Sequence, residues 1–318
     1  MKTGRVKEEL ARLGTEKSNL KTRSLSGLST EKILRAINDE DSKVPAAVRK
    51  EIPRIRKAVD VIVKQISCDH GRLVYLGAGT SGRLGVIDGA ELLPTFGAGA
   101  ETVRALIAGG KRAMFRPVEG AEDSGKAAVD DLLRIHFSSR DVLLGISASG
   151  RTPYVLQGLK YAKGLGAHTI SLTVNRNSLM KPYSQITICP DTGPEALTGS
   201  TRMKAGTAQK LVLNMISTAV MIKLGRVHGN LMTNLRPLSQ KLKERQKRIL
   251  MELTGLSYGE AERKLVEAGS DLRLAIMSVT ASSDTKAHSK VLDTAPNSAG
   301  RTRFEVAKKS GRKLAKHS

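Results

Sequence analysis

Two apolar runs of strand length each lead directly into a loop of small and hydroxylated residues, and this repeated junction constrains the fold more than any other feature. Leu73-Val74-Tyr75-Leu76 runs into Gly77-Ala78-Gly79-Thr80-Ser81-Gly82-Arg83, and Val142 to Ile146 runs into Ser147-Ala148-Ser149-Gly150-Arg151-Thr152-Pro153. A Ser-Gly-Arg core occurs in both loops. Further β-rich runs, Val103 to Ile107, Thr169 to Val174 and Ile186 to Cys189, are separated by helical stretches. Such alternation predicts an α/β fold, a parallel sheet sandwiched by helices.

Helical signals surround that core. Ser29 or Thr30 can cap a helix through Ile33, Leu34 and Ile37, with Pro45 and Pro53 punctuating the helices after it. A long helix is expected from about Arg202, with Ala208, Leu211, Val212, Met215, Ile216 and Ala219 at core spacing. Ala261 to Ala268 and Asp271 to Val279 suggest a small C-terminal helical appendage. The expected organisation is therefore a basic N-terminal arm (1–28), a sheet domain with a helical lead-in (29–250), the appendage (251–295) and a basic tail (296–318).

Composition narrows the class. A chain of 318 residues can bury a full core. No run approaches eighteen apolar residues, and the charged N-terminus has no apolar signal core behind it, which predicts no membrane association and a cytoplasmic protein. Cys68 and Cys189 stand far apart with no Cys/His cluster around them, so neither a metal site nor a redox pair is indicated; both are expected to be small buried hydrophobes. The net charge of +23 raises nucleic acid as a partner. The excess lies in the arm (Lys2, Arg5, Lys7, Arg12), in Arg236 to Arg248 and in Arg301 to Lys316, outside the loops described above, and aromatics make up only 3%. Without a stacking platform or a finger motif, nucleic acid is not the expected partner.

A strand that ends in Gly, Ser and Thr before a helix presents backbone N–H groups and hydroxyls to an anion at the positive end of the helix dipole. Thr80 and Ser81 in the first loop, and Ser147, Ser149 and Thr152 in the second, are assigned to the phosphate and nearby hydroxyls of a small-molecule sugar phosphate. The dinucleotide alternative is weaker: Gly77 to Gly82 matches G-x-G-x-x-G, but no acidic residue ends the second strand. No Gly-Lys-Ser/Thr follows either loop, so a Walker motif is absent. A third segment, Leu197 to Thr207, carries Ser200 among its hydroxyls and adds Arg202 and Lys204 as cations that could close over the sugar.

Two carboxylates fall on connections past the strand ends. Glu91 lies near the end of the helix after the first loop, three residues from Asp88, where both the dipole and the like charge favour the protonated form. That suits a general acid. Glu122 lies in a polar turn before the next helix, where free N–H groups favour the ionised form. That suits a general base.

The stretches that carry these residues resemble one family. Leu76 to Gly85 (LGAGTSGRLG), Val118 to Ser124 (VEGAEDS), Ala148 to Tyr154 (ASGRTPY), Leu197 to Asn214 (LTGSTRMKAGTAQKLVLN), Gly229 to Met232 (GNLM) and Ile37 to Pro45 (INDEDSKVP) are similar to those of N-acetylmuramic acid 6-phosphate etherases, of the sugar isomerase (SIS) type. The resemblance covers most of the chain. It implies a SIS fold, a homodimer, no metal, cofactor or nucleotide, and catalytic roles for Glu91 as acid and Glu122 as base. Two alternatives on the same fold are a sugar-phosphate-sensing regulator and an aldose–ketose isomerase.

Overall fold

The computed structural model of the chain describes residues 13–282, and its strands fall on the apolar runs. They are β1 (Leu73–Gly77), β2 (Val103–Ile107), β3 (Val142–Ile146), β4 (His168–Leu172) and β5 (Ile186–Ile188). All pair in parallel in the order β2-β1-β3-β4-β5, with Gly77 of β1 opposite Ile146 of β3. Every residue of β1 and β3 is buried, as the continuous apolar runs require of strands covered on both faces.

The covering helices are α1 (Thr30–Asp41), α2 (Val44–Arg49), α3 (Ile52–Cys68), α4 (Gly79–Phe96), α5 (Gly125–Arg134), α6 (Pro153–Gly164) and α7 (Lys204–Lys223). On one face Val74, Leu76 and Leu143 pack with Ala128 and Leu132 of α5 and Tyr154, Val155 and Leu159 of α6. Each large apolar side chain so buried contributes about 1.5–3 kcal/mol relative to exposure.

A polar anchor ties α4 to β1 and α7. The buried Asp88 carboxylate accepts from Tyr75 Oη at 2.8 Å, Asn214 Nδ2 at 2.7 Å and Ser217 Oγ at 3.0 Å. Three neutral donors thus replace the water that the carboxylate gave up. Burial, with the neighbouring carboxylate, pushes the Tyr75 hydroxyl well above its usual range, so it stays a donor.

The chain divides into two compact units. One comprises the residues up to Ala90 together with Ala100–Ser217, the other Glu91–Gly99 together with the residues from Thr218 on. The first contains the whole sheet. In the second, α8 (Gln240–Thr254), α9 (Tyr258–Glu267) and α10 (Leu272–Ser282) close around Leu250, Ala261, Leu265 and Ala275. Ser257 and Glu260 form a capping box at the start of α9.

Three expectations change on contact with the structure. Cys68 is exposed because it closes α3 on the solvent side, and Cys189 is only half-buried beside the edge strand β5. Burial and the Glu51 and Asp191 carboxylates push the Cys189 thiol up to about 11, so it stays protonated. Met215, expected in the core, is exposed on α7. The basic arm residues Lys2, Arg5, Lys7 and Arg12 and the tail from 296 lie outside the described residues. No helix among the described residues is long and apolar enough to cross a membrane.

Candidate functional site

From β1 the chain moves to β2 on one side and then returns to place β3 on the other, so the crevice beyond the carboxyl ends of β1 and β3 is a topological switch point. Both hydroxyl-rich loops leave the sheet there, side by side. The first is tight: a Cβ on Gly82 would lie 2.7 Å from Ile107 Cγ1 and 2.8 Å from the Gly77 carbonyl oxygen. Only glycine lets α4 begin this close to β1 and β2, which leaves the amides of its first turn facing the crevice.

The hydroxyls divide by exposure. Ser81 is buried and donates to Gln209 Oε1 of α7 at 2.9 Å, while Thr80 is half-exposed. In the second loop the buried Ser147 Oγ accepts from the Gly150 amide at 3.1 Å and lies 2.8 Å from Thr152 Oγ1. Ser149 Oγ accepts from the Arg151 amide at 3.2 Å. Thr152, the residue before α6, makes no capping bond with its side chain, so its hydroxyl is held by Ser147 and half-exposed. If Ser147 donates to Thr152, the Thr152 proton is left for a ligand.

Ser200 lies close to this cluster. A Cβ on Gly206 in the first turn of α7 would sit 3.6 Å from both Thr80 Cγ2 and the Thr201 carbonyl oxygen, which places the Ser200-Thr201 turn beside the first loop. Ser200 is half-exposed. Glu122 is exposed on the short 3-10 turn Ala121–Asp123 before α5. A Cβ on Gly125, three residues on, would lie 3.6 Å from the Pro153 carbonyl oxygen at the start of α6. The Glu122 turn therefore flanks the second hydroxyl loop. Glu91 is exposed on α4 and belongs to the other unit, where Arg236 N–H donates to the Pro94 carbonyl at 3.1 Å and Gly97 follows in a left-handed conformation.

The third segment departs from its expected role. Arg202 is exposed, but Lys204 is 1% exposed and its Nζ donates to Glu40 Oε2 at 2.6 Å. Glu40, on α1, also pairs with Lys43. Lys204 faces inward because the start of α7 is already closed: the buried Glu195 carboxylate accepts from the Lys204 and Ala205 amides, each at 2.9 Å. Burial raises the pKa of Glu195 despite those donors. Sequence reasoning missed Glu40, Glu195 and Gln209. Gln209 Nε2 is buried without a hydrogen-bond partner among the described residues, next to Ser81.

Comparison with known proteins adds the chemical context. Residues 54–163 match the glucokinase regulatory protein N-terminal SIS domain, and residues 124–219 match the SIS domain. An N-acetylmuramic acid 6-phosphate etherase of Clostridium botulinum (strain Loch Maree / Type A3) is 51% identical over 284 residues, 89% of this chain and 94% of its own. One from Clostridium beijerinckii is 52% identical over 84% of this chain and 88% of its own. N-acetylmuramic acid 6-phosphate etherase 2 of Enterococcus faecalis is 50% identical over 89% of this chain and 96% of its own.

Proposed function

The chain belongs to the N-acetylmuramic acid 6-phosphate etherase family, and from that premise we propose which of its residues carry the reaction. It is a carbon–oxygen lyase. It cleaves the D-lactyl ether of N-acetylmuramic acid 6-phosphate to give N-acetylglucosamine 6-phosphate and D-lactate, in amino-sugar recycling.

The phosphate binds at the switch point, held by Thr80, Ser81, Ser147, Ser149, Thr152 and Ser200 with the first amides of α4 and α6. The adjacency of the two hydroxyl loops beyond β1 and β3 is the observation that carries this assignment. Ser81 and Ser147, being buried, also hold their loops in shape, while the half-exposed hydroxyls reach the ligand directly.

In the ring-opened sugar the C2 proton is acidified by the neighbouring aldehyde. Glu122 removes it, and the C–H electron pair is held as an enolate on the aldehyde; the enolate then collapses to form the C2–C3 double bond as the C3–O bond breaks. Glu91 delivers a proton to the departing ether oxygen, and lactate leaves. Water then adds across the unsaturated aldehyde. The exposure of Glu122 on a turn flanking the second loop supports its role as base. The working form is a cytoplasmic homodimer.

Incubation of the purified protein with N-acetylmuramic acid 6-phosphate should release D-lactate. Tight binding of the sugar phosphate without lactate would make the chain a sensor instead. Thr152→Val removes the hydroxyl aimed at the phosphate while keeping its shape. Loss of one charge-assisted hydrogen bond, about 1.5–3 kcal/mol, should raise KM by ~10–100-fold with a smaller effect on kcat. An unchanged KM would take Thr152 out of the phosphate site.

A further inference from the structure

The opposite end of the same strands holds a second concave surface. Arg72 immediately precedes β1, Arg140 and Asp141 precede β3, and Arg104 lies in β2. With Arg134, His70 and His136 they line a cavity of about 360 Å³. Five-residue strands at about 3.3 Å per residue put this cavity roughly 16 Å from the hydroxyl loops, so it is separate from the sugar-phosphate site.

The cavity is built around one fixed guanidinium. Arg72 donates to Asp141 Oδ1 at 3.0 Å and Oδ2 at 2.9 Å, and to the carbonyls of Ile135 and His136, both at 3.1 Å. Among the described residues Asp141 is the only carboxylate in the lining, and Arg72 consumes it together with the Ser138 amide at 2.9 Å. The pKa of Asp141 is lowered: burial opposes ionisation, and the Arg72 and Ser138 bonds outweigh it. Gly71 makes the close approach possible, since a Cβ there would lie 1.8 Å from the Arg140 carbonyl oxygen.

What remains is uncompensated positive charge. Arg134 pairs with Asp131 at the rim, and Arg104 spends only its Nε on the Ala100 carbonyl, at 3.2 Å. Arg140 makes no hydrogen bond or ion pair among the described residues. Two guanidiniums from different segments, with His70 and His136 beside them, present forked donors into one hollow. That arrangement matches a ligand with oxyanion groups more than one bond apart.

We propose that this cavity at the amino ends of β1, β2 and β3 is a second anion site, taking a small polyvalent oxyanion of the pyrophosphate type. A nucleic-acid backbone fits less well, because the surface is a hollow of small volume and, among the described residues, no Phe, Tyr or Trp lines it as a platform for successive bases. The site rests on the geometry of the first unit alone and does not depend on the etherase assignment.

Pyrophosphate titrated calorimetrically into the full chain, with N-acetylglucosamine 6-phosphate saturating the sugar site, should bind in the wild type. Arg104→Gln/Arg140→Gln should weaken it at least ~10-fold, the loss expected for a removed charge-assisted hydrogen bond, and leave kcat and KM for the ether substrate unchanged. Arg140→Gln alone, at an exposed and unpaired position, should show part of the same loss without any effect on folding. Absence of pyrophosphate binding, equal binding in wild type and variants, or complete competition by the sugar phosphate would each overturn the proposal. So would an oligothymidine that binds more tightly than pyrophosphate and depends on the same two arginines.

Discussion

Glu122→Gln should abolish both lactate release and the exchange of the C2 hydrogen with deuterated solvent. A well-placed general base contributes ~10²–10⁴ in rate, and the amide keeps the shape of the side chain while losing its basicity. Glu91→Gln should behave differently. With the base intact, C2 deprotonation still occurs and returns, so exchange stays measurable while ether cleavage falls by a similar factor. Proton NMR of the substrate in deuterated buffer reads exchange and cleavage together. Equal loss of exchange in both variants would defeat this division between base and acid. A further consequence is that neither change should move the melting temperature, because both side chains are exposed and neither holds the fold.

The sheet was legible because its strands are continuous apolar runs between small-residue breaks. The expected run Thr169 to Val174 appears as His168–Leu172, and Ile186 to Cys189 as Ile186–Ile188. The differences lie at strand ends, where pairing rather than composition decides. The hydroxyl loops were legible for the same reason, since each is the forced exit from a buried strand. The charged interior was not. In the sequence Asp88 stands only as a like charge beside Glu91 and Lys204 as a cation over the sugar, while Glu40 and Glu195 give no signal of their own; the pairing that buries Glu40 and Lys204 spans 164 residues. A signal was nonetheless present in the helical period. Lys204, Ala208, Val212, Ile216 and Val220 recur every four residues, and all are buried. Ser81, Gly85 and Asp88 form a similar buried stripe on α4. A charged residue that heads an otherwise apolar stripe is a candidate for a buried pair, a reading that charge counting alone suppresses.

That buried pair yields the largest expected change in stability. Lys204→Met leaves the Glu40 carboxylate in the interior with Lys43, which is half-exposed, as its remaining cation. Stranding a buried charge in this way costs about 3–5 kcal/mol. Replacing both partners, Glu40→Met/Lys204→Met, removes the charge and its desolvation together and should recover most of that loss. The pH dependence follows from the same carboxylate. Burial opposes ionisation of Glu40, but the hydrogen bonds from Lys204 and Lys43 outweigh it and lower its pKa from 4.5 to about 2. A carboxylate whose pKa is depressed on folding adds stability above its unfolded value and loses it as pH falls toward the folded one. The wild type should therefore lose about 3 kcal/mol from this group between roughly pH 5 and pH 2. Lys204→Met should start lower and fall less across that window. Urea unfolding at a series of pH values measures both effects, and a Lys204→Met cost below about 1 kcal/mol would show that the pair does not hold α1 to the start of α7.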